Sequence, residues 1–171
     1  MNNIILYQPE KPANTGNILR TIAATGAKLH IIGPLNFELN DESLKRAGMD
    51  YITSADYIYY SNYEEFVKKN PNITIHYITR YGHKTADSFD FSLPYEDYYV
   101  MFGKESSGIP RELLKDNLSR CIRIPMLPNA RSLNLSNSVA IILYEMLRQQ
   151  EYFGLASDEN IKGNTYLEDN Y

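Results

Sequence analysis

Three short segments of this chain carry side chains whose types and spacing could do chemistry. In "PANTGNILR" (12–20), Asn14, Thr15, Gly16 and Asn17 form a polar turn, with Arg20 about one helical turn further in. In "MFGKESSGIP" (101–110), Gly103 and Gly108 bracket a polar loop that holds Glu105, and Pro110 opens the next helix. In "PNARSLNLSNSVAIILYE" (128–145), Asn129, Arg131, Ser132, Asn134, Ser136 and Asn137 lead without a break into a strongly apolar run. Amides, hydroxyls, a carboxylate and arginines can orient a polar ligand and handle its proton. Glycine at a strand end lets a ligand approach the backbone closely, because there is no Cβ. Each segment alone also has a plainer explanation: a helix cap plus a surface arginine for the first, a solvated loop carboxylate for the second. Capping by Ser136 and Asn137 accounts for only part of the third and leaves Arg131, Ser132 and Asn134 over. Pro125 and Pro128 remove two backbone donors just ahead of them and stiffen the path.

Other chemistries are excluded or disfavoured. Neither the P-loop pattern nor the dinucleotide G-x-G-x-x-G is present, so a phosphate cradle of those kinds is not expected. His30, His76 and His83 are scattered, and no H-E-x-x-H or Cys/His spacing exists, so no metal is expected. His30 and His76 fall in apolar runs and read as satisfied core histidines. The single cysteine, Cys121, rules out an internal disulfide and reads as a small core residue. The net charge of −4 argues against broad electrostatic binding of nucleic acid and leaves room only for a local basic patch.

The elements that must position these groups alternate along the chain. Strands are expected at 3–8, 28–33, 56–60, 72–79, 97–103 and 120–126, several of them continuous apolar runs of the kind buried on both faces. Helices are expected at 14–26, capped by Asn14 or Thr15 and stopped by Gly26, at 40–48, at 62–70, and from about 136 to 150. In the last of these, Val139, Ile142, Leu143, Met146 and Leu147 repeat at helical spacing. Such alternation implies an α/β domain with a mainly parallel sheet flanked by helices. At 171 residues, with 43% hydrophobic and 22% charged, the chain suits one globular domain, placed at 1–155. Residues 156–171 are polar, acidic and aperiodic, and are expected to form a loosely held tail. No apolar run approaches the roughly 20 residues of a membrane span, and the start lacks a basic leader, so a cytoplasmic location is expected. In parallel sheets of this kind, sites form at the carboxyl ends of the strands, where all three polar segments fall.

Taken in order, the three segments resemble the signature motifs of the SPOUT RNA methyltransferases. The similarity is closest to the TrmL (YibK-like) tRNA 2′-O-methyltransferases. It runs from "NIILYQPEKPANTGNILR" through "GAKLHIIGPLNFELNDESLKRAGMDY" and "MFGKESSGIP" to "IRIPMLPNARSLNLSNSVAIILYEMLRQ", leaving out the acidic tail. The resemblance implies an α/β-knot fold whose C-terminal segment threads a loop to form a deep trefoil knot. It further implies S-adenosylmethionine bound bent within that knot, S-adenosylhomocysteine as product, and a homodimer. By position, the family's cofactor contacts fall on Ile78, Gly103, Ile124 and Ser132, with Met126 and Leu133 as neighbours. Residues tied to methyl transfer fall on Asn14, Arg20, Glu105, Ser132 and Asn134.

The substrate so implied is the ribose 2′-hydroxyl of the wobble nucleotide, position 34, of leucine tRNAs, where the base is cytidine or a modified uridine. Arg20 is an awkward base, since a guanidinium does not readily give up its proton. It suits gripping a phosphate and polarising the hydroxyl better. In an acidic protein tRNA must be met by local cations, for which Arg20, Lys45, Arg46, Arg80, Lys84 and Arg131 are candidates. Three alternatives stand beside this reading: the same chemistry at another tRNA or rRNA site, a non-catalytic RNA-binding protein of the same fold, and an unrelated small-molecule α/β enzyme, for which the sequence offers no competing motif.

Overall fold

The computed structural model describes residues 1–39 and 55–170. The expected helix at 40–48, with Lys45 and Arg46, lies outside the described residues.

A six-stranded sheet organises the chain. Its strands are β1 (Asn2–Tyr7), β2 (Lys28–Ile32), β3 (Asp56–Tyr60), β4 (Ile75–Ile78), β5 (Tyr98–Phe102) and β6 (Cys121–Ile122), in the order β3-β2-β1-β5-β4-β6. Every pairing is parallel, with β1 central: Leu6 stands opposite Ile31 of β2 and Phe102 of β5. From Ile4 onward β1 is an apolar run because both sheet faces are covered, which removes any need for polar alternation. Strand periodicity sends Ile4 and Leu6 to one face and Ile5 to the other.

On the first face they meet Ile18, Leu19 and Ile22 of α1 (Pro12–Thr25) and Val139, Ile142, Leu143 and Met146 of the long C-terminal helix, Leu135–Gln149. On the second face Ile5 joins Met101, Phe66 of α2 (Tyr63–Lys69), Leu114 of α3 (Arg111–Lys115) and the buried Cys121. The C-terminal helix is therefore α4 in chain order. A short exposed helix, α5 (Tyr166–Asn170), lies within the acidic tail. Among the described residues no helix is long and apolar enough to cross a membrane.

Three expectations about element ends are corrected. α1 starts two residues earlier than expected, with Pro12 in its first turn, a favoured place for proline since its missing N–H would go unpaired there anyway. Asn14 and Thr15 are thus inside the helix rather than capping it. Gly26 does close it, at φ 67°. α4 is capped not by Ser136 or Asn137 but by Asn134, whose Oδ1 accepts from the backbone amides of both. The last strand is only two residues long, because after Ile122 the chain leaves β4: Arg123 N donates to Lys84 O (2.8 Å), and proline follows at 125.

β6 is held from two sides. β4 pairs with it at Tyr77–Cys121 and Ile78–Ile122, while Lys84 bridges Ile122 in parallel on the other side. The 79–85 loop presses so closely that a Cβ on Gly82 would lie 2.7 Å from the Ile122 carbonyl carbon and 2.8 Å from Arg123 N.

Candidate functional site

The strand order turns around between β1 and β5. From β1 the chain moves outward to β2 and β3, and afterwards fills in the far side through β4, β5 and β6. Loops leaving neighbouring strands diverge at such a reversal and open a crevice at the carboxyl ends. A cavity of about 620 Å³ lies there, lined from the ends of β4, β5 and β6, from the start of α1 and from the segment before α4. That is within the usual range of about 300–1,000 Å³ for small-molecule sites.

One directed chain of hydrogen bonds runs along its wall. Glu105, in the loop after β5, accepts from Asn14 Nδ2 at 2.9 Å. Asn14 is 6% exposed, and its Oδ1 accepts from Asn134 Nδ2 at 3.0 Å. Asn134 Oδ1 in turn accepts from Ser136 N (2.9 Å) and Ser136 Oγ (2.7 Å). The ionised carboxylate only accepts, and the helix-end amide only donates, so both ends of the chain fix the orientation of the two carboxamides between them. Segments 12–20, 101–110 and 128–137 are thereby joined through side chains.

Glu105 also accepts from the backbone amides of Glu10 (2.8 Å) and Lys11 (3.2 Å), which tie the loop after β5 to the loop after β1. The tie is returned: Glu10 accepts from Ser106 N and Ser106 Oγ, both at 2.8 Å. These two bonds, helped by Lys104 and Lys11 nearby, hold the Glu10 carboxyl below the usual carboxylate range. Glu10 escaped the sequence reading because its partner is 96 positions away. The one local signal is "PEKP", a carboxylate on a loop stiffened by Pro9 and Pro12.

Of the residues expected to contact a cofactor, Ile78, Gly103, Ile124, Met126, Ser132 and Leu133 all line the cavity, as do Asn14, Glu105 and Asn134 from the catalytic set. Gly103 has a second reason to be glycine. A Cβ there would fall 2.1 Å from the Gly108 carbonyl carbon and 2.2 Å from Ile109 N. The missing side chain makes room for the loop's own return, closed by reciprocal Lys104–Gly108 backbone bonds. Arg20 is exposed on α1 and is not among the cavity-lining residues. Among the expected cations, Arg80 and Arg131 line the cavity; Lys84 is exposed away from it, 5.8 Å from the Phe89 ring centroid. Lys11 and Lys104, not singled out in the sequence, join Arg80 and Arg131 in that lining.

Known proteins share this fold. The model of the SpoU rRNA Methylase family matches residues 1–144. A Geobacillus stearothermophilus protein provisionally named a tRNA (cytidine(34)-2′-O)-methyltransferase is 49% identical over 154 residues, 90% of this chain and 98% of its own length. A Saccharophagus degradans protein named tRNA (cytidine(34)-2′-O)-methyltransferase is 41% identical over 158 residues, 90% of this chain and 99% of its own length. A solved structure described under the 2-OH methylation of C/U34 on tRNA superposes with a TM-score of 0.77 at 37% identity, covering 89% of this chain and 97% of that one. An AdoMet-bound rRNA methyltransferase from Sinorhizobium meliloti superposes with a TM-score of 0.73 at 25% identity, covering 86% of this chain and 56% of that one.

Proposed function

The chain belongs to the SpoU rRNA Methylase family, and from that premise we propose that it is an S-adenosylmethionine-dependent tRNA 2′-O-methyltransferase. Its substrate in this reading is the ribose of the wobble nucleotide, cytidine or modified uridine 34, of leucine tRNAs. The observation that carries the proposal is the Glu105–Asn14–Asn134 chain, which joins three separate segments on one cavity wall. Relatives named for that reaction support the nucleotide.

The cavity suits the cofactor. Ile78, Ile124, Met126 and Leu133 offer apolar surface for a nucleoside, while Ser132 and the Gly103 turn offer polar groups beside it. When bound, S-adenosylmethionine would supply a methyl group on a sulfonium sulfur; its transfer would form a C–O bond, break the C–S bond and leave S-adenosylhomocysteine, with the hydroxyl proton passing to solvent water. An electrophile so activated asks the protein mainly for alignment and exclusion of water. Asn14 and Asn134, locked by Glu105 and the α4 end, hold the reacting groups in register, and Ser132 lies beside them. Arg80 and Arg131 at the cavity, and Lys84 beyond it, meet RNA phosphates, as do Lys45 and Arg46.

Arg20, exposed outside the cavity of one protomer, grips a phosphate and polarises the 2′-hydroxyl when a second copy or the RNA closes the site. A homodimer fits this need. It also fits the exposed Ile141 (46%) and Tyr144 (48%) on α4, which with Tyr152 border a second hollow lined by Ile124 and Pro125. The two-sided pairing of β6 supports the trefoil knot. The catalytic unit in this reading is residues 1–155, with the acidic tail outside it, and a tRNA substrate fits a cytoplasmic location.

Methylation of total tRNA with labelled S-adenosylmethionine, followed by mapping of the modified nucleotide, tests the proposal. Label at nucleotide 34 of leucine tRNAs is expected. Label confined to rRNA or to another tRNA position would transfer the same chemistry to a different target, and no label with tight RNA binding would favour the non-catalytic alternative. Arg20→Ala is expected to abolish methylation while calorimetry shows near-normal cofactor affinity.

A further inference from the structure

Two carboxylates join the loops at the strand reversal, and only Glu105 belongs to the polar wall of the cavity. Five bonds cross between the 10–14 and 105–106 segments: Glu105 takes Glu10 N, Lys11 N and Asn14 Nδ2, and Glu10 takes Ser106 N and Ser106 Oγ. The three bonds to Glu105 converge on a single carboxylate and act as a pivot about which the 103–108 loop could still turn. The Glu10–Ser106 pair is a second attachment point, and two points stop that rotation. Gly103 does not depend on it, because β5 and the Lys104–Gly108 turn hold it independently.

We propose that Glu10 is a positioning residue for methyl transfer: through Ser106 it sets where the 103–108 loop carries Glu105, and hence where Asn14 and Asn134 stand against the cavity. The inference rests on the methyltransferase reading of that cavity. Because the clasp orients the polar wall and leaves the Gly103 backbone in place, its loss falls on turnover rather than on cofactor binding.

The test uses the full chain and four variants: Glu10→Ala, Glu10→Gln, Ser106→Ala and the double alanine variant. Initial rates at varied S-adenosylmethionine and tRNA give kcat and KM, thermal unfolding gives a stability control, and amide hydrogen exchange at Ser106 reports the clasp without any turnover. For Glu10→Ala we expect kcat to fall about tenfold while KM for S-adenosylmethionine stays within about twofold. The double variant should lose no more than Glu10→Ala alone, as expected of partners in one interaction. Exchange at Ser106 should speed up. Glu10→Gln should recover most of the rate, since its carboxamide oxygen can accept from Ser106 N while the hydroxyl turns to accept from Nε2. Additive losses, or a rate loss that follows a lowered unfolding midpoint with no rescue by glutamine, would overturn the assignment. Absence of methyl transfer by the wild-type chain sinks the functional reading and this one together; wild-type turnover with an unchanged Glu10→Ala kcat sinks this one alone.

Discussion

The hydrogen-bond chain through His30 and the one through Asn14 end differently. Beneath α2, Asn70 Nδ2 donates to the Tyr60 hydroxyl (3.2 Å), and Tyr60 lies 2.9 Å from His30 Nδ1. His30 Nε2 is 3.2 Å from Asn3 Oδ1, and Asn3 Nδ2 donates to the Met1 and Tyr98 carbonyls. Since the Asn3 amide nitrogen is committed to those carbonyls, its oxygen must accept, so neutral His30 carries its proton on Nε2 and accepts from Tyr60 on Nδ1. Around His30, with Asn3 and Tyr60, the network is buried and saturated, and burial lowers the His30 pKa to about 4. At the strand ends, the Glu105–Asn14–Asn134 chain uses the same carboxamide chemistry but ends on an ionised carboxylate and lines an open cavity. Satisfaction of polar groups serves stability when sealed, and alignment when one wall is left open to a ligand.

Substitutions can break that contrast. Asn14→Ala removes the middle of the open chain, and kcat for tRNA methylation should drop about 100-fold, the scale of a misaligned reacting pair. Circular dichroism should find the fold intact, and a comparable loss of folded protein would erase the distinction between the two chains. In the sealed network, His30→Ala leaves the Tyr60 hydroxyl proton and Asn3 Oδ1 unpaired and should cost about 2–3 kcal/mol in denaturant unfolding. Its activity per folded molecule should be unchanged.

The pH dependence sharpens the same point. His30 is depressed in the folded state relative to about 6.5 unfolded, so its stability contribution is complete above pH 6.5 and is lost as pH falls towards 4. Over that window the wild type should lose about 2 kcal/mol more than His30→Gln, which keeps the two bonds without the titration. Equal slopes for the two proteins would mean that the imidazole is not held neutral. The smallest effect separates the two roles of Asn134. Asn134→Ser keeps a capping oxygen and loses the amide donor to Asn14, so stability should stay within about 0.5 kcal/mol while kcat falls about tenfold.

Sequence patterns reached the elements and the cavity lining more surely than the bonds inside them. Apolar runs and the Gly26 stop located strands and helices to within a few residues, because burial on both sheet faces leaves a continuous signal. Residues on the walls came from the ordered motifs. What stayed hidden depends on tertiary partners. Asn134 takes the cap from Ser136 because the chain before α4 is extended; Gly103 makes room for Gly108; Glu10 finds its donors in a loop that only the β1–β5 pairing brings close. Arg20, by contrast, sits where helical spacing from Asn14 puts it, on the outer side of α1, six residues on and facing another way.

The close grip on β6 bears on how the protein keeps from sticking to itself. β6 ends the sheet, and the final strand of a parallel sheet ordinarily offers a row of unpaired backbone groups as a template for foreign strands. Here Lys84 already occupies the outer side of Ile122, and Gly82 admits the loop backbone against it. The strand is two residues long and its outward donor at Arg123 is spent on Lys84. A segment built mainly to bring Ile124 and the 126–134 stretch to the cavity thus also closes one border of the sheet to recruitment into aggregates.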